Sequence, residues 1–256
     1  MRKAPRLHED LKKSQNKLSE FDLQRNKLFH FPFLNKKEWL HVPVVGKEII
    51  SIPQIENFEV SKQDNKDSCG LCVGKMVINN ILKNSWKETQ ISENSIIKKS
   101  PISKLWLMKK YVGITPWQLQ KVIQEILDKH HLPYTALEKH FITYTEIKNL
   151  LEKWSYIIFS YMWDSIDNPY RTKNGKKDMS LEGIHHPHYF ILLEIDERKE
   201  IVTVANPFGY IQKIFFKEFW QRISLHPKYL HSSKLYLPLV ESGLYMPRTC
   251  VIVAKK

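Results

Sequence analysis

Cys69 stands where a thiol could act as a nucleophile. It lies six residues after Gln63, at the end of a polar run and at the start of a segment whose apolar residues recur at helical spacing. A cysteine at a helix N-terminus gains from the positive end of the helix dipole, which favours the thiolate, and the thiolate is the nucleophile. A side-chain amide such as that of Gln63 can stabilise the oxyanion of a tetrahedral intermediate. These residues predict nucleophilic catalysis by Cys69.

A cysteine nucleophile also needs a base that reaches the sulfur and a third group that orients the base. His188 heads one strand-like run, and Asn206 closes the next. If the two runs pair as antiparallel neighbours, the Asn206 amide lies near the His188 imidazole. We therefore predict His188 as general base and acid and Asn206 as its orienting residue. His185 or His186 would replace His188 as the base if the preceding loop were slightly shifted.

Three amphipathic helices are predicted to position these residues. The first runs from about Cys69 to Leu82 and should be central and buried on one face. A second follows Thr115 and Pro116, which are an N-cap and a first-turn proline. A third follows Thr143, with which Glu146 forms a capping box. The inner side of the third helix is predicted to carry Ile147, Leu150, Leu151 and Trp154.

After Trp154 the apolar pattern becomes typical of strands, and the turns between the runs are short. Antiparallel pairing of consecutive strands is therefore expected, with a short helix around Lys217 to Ile223. The resulting fold class is α+β, with helices first and sheet second. The predicted strands are Phe58 to Val60, Tyr156 to Trp163, His188 to Ile195, Ile201 to Ala205, Tyr210 to Phe215 and Cys250 to Ala254.

The composition is that of a folded globular protein with an unusual charge. The chain has 256 residues and a formal net charge of +13. A balance this basic usually indicates an anionic partner or surface. The lysines are spread along the chain and accompany no recognisable nucleic-acid motif, so solvated surface charge is the better interpretation and a nucleic acid is not the expected partner. We divide the chain into a basic N-terminal extension, residues 1–55, and one catalytic domain, residues 56–256.

Cysteine usage and the N-terminus indicate the compartment. The three cysteines, Cys69, Cys72 and Cys250, do not suggest a disulfide framework, so a reducing environment is expected. The basic start is followed by polar residues instead of an apolar stretch, and no run has the length of a transmembrane helix. The expected location is cytoplasmic, and delivery into another cell as an effector is compatible with the same features. No metal or organic cofactor is expected.

Two rival functions use the same cysteines. The spacing of Cys69 and Cys72 at a helix start is also that of a thiol-disulfide redox motif, although a polar loop precedes it instead of a buried strand. Alternatively, Cys69 and Cys72 could bind zinc with two of His185, His186 and His188. Neither alternative gives Gln63 a role.

The segments around these residues resemble the papain-like cysteine peptidases, and most closely the bacteriocin leader peptidases that cut after double-glycine leaders. The resemblance covers about residues 58–225. It includes Gln63 to Val77, the run Gly113 to Pro116, His188 to Leu192 and Val204 to Gly209. It departs from the family pattern at Ser68 and Asn206, where the family usually has Asp, and an asparagine would hold the imidazole less ionically.

The resemblance implies a papain-like fold in which a central nucleophile helix packs on a C-terminal antiparallel sheet. It implies Cys69 as nucleophile, His188 as base and acid, Asn206 as orienter, and Gln63 with the Cys69 backbone amide as oxyanion hole. The implied activity is a thiol hydrolase that cleaves an amide bond of a peptide or protein substrate through a thioester. A deamidase or an acyltransferase on the same fold remains an alternative, as does a degenerate domain that only binds.

Overall fold

The computed structural model describes residues 41–52, 55–64, 68–85, 91–92, 114–164, 172–173, 176–177, 185–224 and 247–256. Within these ranges the helices are α1 (Cys69–Asn84), α2 (Pro116–Lys129), α3 (Tyr144–Glu152) and α4 (Phe216–Ile223). The strands are β1 (Ile49–Ser51), β2 (Tyr134–Lys139), β3 (Tyr156–Asp164), β4 (Thr172–Lys173), β5 (Lys176–Lys177), β6 (His185–Asp196), β7 (Ile201–Asn206), β8 (Tyr210–Phe215) and β9 (Cys250–Lys255).

One antiparallel sheet organises the described residues. Its strands lie in the order β2, β9, β3, β6, β7, β8, and β1 pairs with the far end of β6. Strands β6, β7 and β8 form the predicted meander, in which Ile191 lies opposite Ala205 and Asn206 opposite Tyr210. The sheet brings the start of β6 beside the end of β7, so the segments that carry His188 and Asn206 become neighbours.

Helices cover both faces of the sheet. Four successive residues of β6, from Phe190 to Leu193, are buried, which a strand shows only when both of its faces are covered. Helix α1 packs on β6 and against α2, while α4 packs on β3. The predicted inner face of α1 is confirmed, because Cys72, Val73, Met76, Val77 and Ile81 are all fully buried.

The local signals that start the helices act as the sequence predicts. Thr115 and Thr143 are N-caps in extended conformation, and each accepts a hydrogen bond from the backbone N–H three residues later. Glu146 completes the capping box of α3 as predicted, and Gln118 completes a further one for α2. The predicted fold class, α+β with a central helix packed on an antiparallel sheet, is confirmed.

The domain begins earlier than the sequence indicates. Contacts divide the chain into Met1–His41 and Val42–Lys256. Strand β1 lies within the segment assigned to the extension, yet it pairs with β6, and Ile50 and Ile52 are buried in the core. Most of the extension, residues 1–40 and 53–54, lies outside the described residues.

Other predictions need correction. Phe58 to Val60 is not a strand, because the side chain of Asn80 takes both backbone hydrogen-bonding groups of Glu59. Trp154 is not on the inner side of α3: the helix ends at Glu152, and Trp154 has a φ of 61° and is 67% exposed. Strand β6 begins at His185, so His188 lies inside the strand and not at its head.

No helix in the described part of the chain is long and apolar enough to cross a membrane.

Candidate active site

Cys69 is the first residue of α1 and is half-buried. The first hydrogen bond of the helix runs from the Cys72 N–H to the Ser68 carbonyl at 2.9 Å. The N–H groups that precede it have no partner within the helix, because helix geometry leaves the first turn without acceptors. The Cys69 thiol and its own N–H therefore lie together at the positive end of α1, as an anionic reaction centre requires.

Gly70 lets the first turn of α1 approach the strand that carries His188. A Cβ added at Gly70 would overlap with Ile114 and would lie 3.1 Å from the Tyr189 ring. The Tyr189 hydroxyl in turn donates to the Ile114 carbonyl at 2.8 Å. The neighbours of Cys69 and His188 in the chain are thus packed together, and any larger residue at position 70 would push the two segments apart.

His188 and Asn206 form the hydrogen bond that the sequence predicts. Nε2 of His188 lies 3.1 Å from Oδ1 of Asn206, and both residues are buried. An amide oxygen can only accept, so the proton sits on Nε2 in this pair. Nδ1 of His188 is then the nitrogen with a lone pair in the neutral ring, and it is the one left to act as a base.

The Asn206 side chain is held in this orientation. Its Oδ1 also accepts from the Phe208 N–H at 3.0 Å, and its Nδ2 donates to Oε1 of Gln212 at 3.0 Å. The assignment of oxygen and nitrogen in an amide depends on such partners. The Phe208 N–H can only donate, so it identifies the Asn206 atom that faces it as Oδ1, and this supports the Nε2–H tautomer of His188.

Burial keeps the His188 imidazole neutral. Desolvation lowers the pKa of His188 to about 4, and the hydrogen bond with Asn206 only partly opposes this effect. The ring of Phe208 lies against the imidazole, with 4.6 Å between the ring centroids. Without a charge beside it, His188 is therefore an unprotonated base at neutral pH, and a negative charge placed beside it in this apolar surrounding would strongly raise its pKa.

The segment that carries Gln63 is attached to the same turn. The Gln63 N–H donates to the Pro207 carbonyl at 2.7 Å, and Lys62 pairs with Phe208. Gly209 has a φ of 93°, and a Cβ there would lie 3.1 Å from the Lys62 side chain, so the turn needs a glycine for both reasons. Gln63 itself is buried.

Helix α1 also holds the Gln63 segment, through two residues that were not predicted to act in the site. The Cys72 thiol donates to the Ser61 carbonyl at 3.4 Å and lies 3.9 Å from the Pro207 carbonyl. Asn80 bonds the N–H and the carbonyl of Glu59 at 3.0 and 3.2 Å. A polar residue on the buried face of a helix was the available signal, since such a side chain requires partners.

The geometry is unfavourable to both rival uses of the cysteines. Cys72 is fully buried with its thiol aimed at backbone carbonyls, and His188 is engaged with Asn206. Among the described residues no group of three or more His, Cys, Asp or Glu side chains is placed to hold a metal ion. His185 and His186 lie in β6, opposite Asp164 and Trp163, and their side chains are outside the described part.

The structure thus joins the predicted residues in two ways. His188 and Asn206 are directly bonded, while Cys69 and Gln63 lie on segments that contact the same β6 start and β7–β8 turn. Gly113, in the second of the segments that resemble the peptidases, lies outside the described residues, and Ile114 to Pro116 lead into α2 as expected.

No protein-family model matches this chain, and no curated protein matches it. Among solved structures, it is similar to a protein described as a C39-like peptidase from Bacillus anthracis, with 11% identity, a TM-score of 0.49, and coverage of 82% of this chain and 98% of that one. It is similar to the peptidase domain of Streptococcus ComA, a bi-functional ABC transporter, with 10% identity, a TM-score of 0.38 and coverage of 78% and 100%. A third is xylellain, a cysteine protease from Xylella fastidiosa, with 10% identity, a TM-score of 0.44 and coverage of 88% and 91%.

Proposed function

We propose that this chain is a papain-like cysteine peptidase with Cys69 as nucleophile, His188 as base and acid, Asn206 as orienting residue and Gln63 with the Cys69 N–H as oxyanion hole. The observation that carries the proposal is the buried hydrogen bond from Nε2 of His188 to Asn206. This bond leaves Nδ1 of His188 as the basic nitrogen. The strand that carries His188 packs against the first turn of the proposed nucleophile helix.

The charges of the site support the assignment of roles. A thiolate at the start of α1 is stabilised by the helix dipole, and a protonated His188 is stabilised by that thiolate. Because burial lowers the pKa of His188, the imidazolium is favoured only while the thiolate faces it. The imidazolium of His188 therefore gives its proton readily to the leaving nitrogen once the sulfur is covalently bound and has lost its charge.

In the first half of the proposed reaction, the thiol proton moves to Nδ1 of His188 and Sγ of Cys69 attacks the carbonyl carbon of the substrate amide. The resulting oxyanion accepts hydrogen bonds from Gln63 and the Cys69 N–H. The amide nitrogen then takes the proton from His188 as the C–N bond breaks, and the amine leaves. Cys69 is left as an acyl thioester.

In the second half, a water molecule gives a proton to Nδ1 of His188 and attacks the thioester carbonyl. The C–S bond breaks, the carboxylic acid leaves and Sγ regains the proton. The same thioester would form if the leaving group were ammonia from a glutamine side chain, or if an amine attacked in place of water. Peptide cleavage, deamidation and acyl transfer therefore share the residues named and differ in which bonds change in the product.

Heavy-oxygen water separates these outcomes. Wild-type protein, Cys69→Ala and the control Cys250→Ala would be incubated with a mixture of unfolded proteins in H₂¹⁸O, and the products read by mass spectrometry. We expect new peptide C-termini that carry ¹⁸O with wild type and the control, and none with Cys69→Ala. Label in glutamate side chains would assign a deamidase, and joined products without label an acyltransferase. Identical products from Cys69→Ala and wild type would contradict a Cys69 enzyme of any of the three kinds.

Two further expectations from the sequence stay predictions. An anionic partner or surface is compatible with the net charge of +13 and would show as substrate affinity that falls with added salt. The cytoplasmic location would be checked by cell fractionation.

A further inference from the structure

Gln212 lies beside the proposed site and is bonded to Asn206, although it is not one of the residues proposed to take part in the reaction. It is half-buried on β8, opposite Val204 of β7. Asn206 lies opposite Tyr210, so Gln212 is the diagonal neighbour of Asn206, two residues further along the adjacent strand and on the same face of the sheet. Its Oε1 accepts from Nδ2 of Asn206 at 3.0 Å.

We propose that Gln212 is a positioning residue that holds the Asn206 amide in the orientation on which the tautomer of His188 depends. This inference rests on the proposed function, since it concerns which nitrogen of His188 faces the thiol. The three side chains form a continuous chain of hydrogen bonds: Nε2–H of His188 to Oδ1 of Asn206, and Nδ2–H of Asn206 to Oε1 of Gln212.

The reason lies in the two ends of an amide. If the Asn206 amide were turned over, its NH₂ group would face Nε2 of His188, and Nε2 could only accept. The single proton of the neutral ring would then sit on Nδ1, which would no longer be a base. In that orientation the Asn206 oxygen would face Oε1 of Gln212, and the two side chains could bond only if the Gln212 amide turned over as well. The wrong orientation thus requires both amides to turn, and it also breaks the bond from the Phe208 N–H to Oδ1.

The position of Gln212 makes this contact separable from the fold. It lies on an edge strand of the sheet, and its neighbour Lys213 is exposed. Replacing a half-buried side chain at such an edge removes little core packing. A substitution of Gln212 should therefore change the orientation of the Asn206 side chain with little effect on the stability of the fold.

The test is the pH dependence of Cys69 alkylation, measured by the intact mass of the protein after timed exposure to iodoacetamide. Gln212→Met removes the acceptor at similar size, and Gln212→Glu presents an oxygen to Asn206 whichever way it turns. Lys213→Met, on the adjacent position, is the matched control. Thermal unfolding of each variant is recorded first. Gln212→Thr, which is too short to reach Asn206, replaces Gln212→Met if the latter does not fold.

We expect Gln212→Met to label Cys69 about five- to tenfold more slowly than wild type at pH 6, the factor that one hydrogen bond represents. The pH at which the labelling rate is half-maximal should be higher, because the loosened Asn206 side chain stabilises the imidazolium that accompanies the thiolate less well. Gln212→Glu should restore the wild-type rate or exceed it, since its charge also favours the imidazolium. Lys213→Met should match wild type. In an Asn206→Ala background, Gln212→Met should have no further effect.

Two results would overturn the role of Gln212 and leave the proposed function standing. One is a pH profile of Cys69 labelling in Gln212→Met that is identical to that of wild type. The other is labelling of Gln212→Glu that is no faster than that of Gln212→Met. Failure of the proposed function has a different signature, in which wild-type Cys69 itself does not label at mildly acidic pH.

Discussion

The two ends of strand β6 bury polar side chains in opposite ways. Near its start, His188 is buried as a neutral base, and desolvation lowers its pKa to about 4. Directly after its end, Glu197 has only 1% of its side chain exposed and is buried as a charge. Burial raises the pKa of the Glu197 carboxyl, but its hydrogen bonds outweigh that effect and lower the pKa to about 2.

Three donors from two parts of the chain satisfy Glu197. They are the Tyr144 hydroxyl at 2.6 Å, the Glu48 N–H at 3.0 Å and the Lys148 ammonium at 3.1 Å. Gly46 passes so close that a Cβ there would lie 2.5 Å from the carboxylate. A buried charge with this many donors ties the segment before β1 and the start of α3 to the sheet, so we interpret this end as structural.

The difference shows how one strand serves both stability and reactivity. At the Glu197 end the ionised carboxylate is the stable form, and protonating it would only weaken its hydrogen bonds. At the His188 end the stable form is neutral, and in the proposed mechanism it is the form that accepts a proton, as is typical of catalytic groups. Substitutions at one end should therefore change the free energy of unfolding, and those at the other the reactivity of the thiol.

The largest expected effect on stability is that of Glu197→Ala. It leaves the Tyr144 hydroxyl, the Lys148 ammonium and the Glu48 N–H without their common acceptor, so we expect the free energy of unfolding to fall by about 3–5 kcal/mol. Urea unfolding at pH 7 measures this change. A loss below about 1 kcal/mol would contradict the structural role, whereas an unchanged alkylation rate of Cys69 in the folded fraction would support the separation of the two ends.

The next effect is a pH dependence that belongs to His188. The unfolded chain binds a proton at His188 with a pKa near 6.5 and the folded chain only near 4, so stability is full above about 6.5 and falls as the pH drops toward 4. At pH 4.5 this loss is about 2–3 kcal/mol. The loss from Glu197 comes later, as the pH falls from 4.5, the ordinary pKa of a glutamate, toward about 2.

Urea unfolding of wild type and His188→Gln from pH 7.5 to 4.5 isolates the histidine's share. The variant should lose about 2–3 kcal/mol less than wild type over this range. If both lose stability equally, His188 is not buried as a neutral base in the folded protein.

The smallest effect is expected for Tyr144→Phe. It removes one hydrogen bond to a charged group and costs about 1–2 kcal/mol, while the ring keeps its edge contacts with Phe216 and Trp220. The pKa of Glu197 should rise, so the acid loss of stability that begins near pH 4.5 should be smaller and should end at a higher pH than in wild type. Labelling of Cys69 should be unaffected, and a slowed rate would show that the two ends of β6 are coupled.

The sequence indicates the contacts at the His188 end of β6, where we propose the active site, better than those at the Glu197 end. Cys69, His188 and Asn206 are marked by local signals: a helix start, a strand and a turn. Glu197 lies in a charged turn that looks like ordinary surface, and its donors come from residues 46–48 and 144–148, far away in the chain. Burial of a charge depends on such distant partners, which no local pattern reveals.

The missed elements have the same cause. Strand β2 is an edge strand in which only Ala136 is buried, so its pattern does not alternate, and it forms because β9 pairs with it. Gln212 shows no period or motif either, since its contact with Asn206 depends on the register between β7 and β8. Trp154 continues the apolar spacing of α3, but the chain leaves the helix two residues earlier.

The most direct measurement is the site and rate of alkylation by iodoacetamide at mildly acidic pH, read by intact mass on wild type, Cys69→Ala, His188→Gln and Cys250→Ala. Burial raises the pKa of the Cys250 thiol, so that cysteine should stay unlabelled. We predict rapid addition of one label to wild type and Cys250→Ala, none to Cys69→Ala, and slowing by about 100-fold or more in His188→Gln. Labelling of wild type that is slow, or that His188→Gln does not slow, would contradict an activated Cys69–His188 pair.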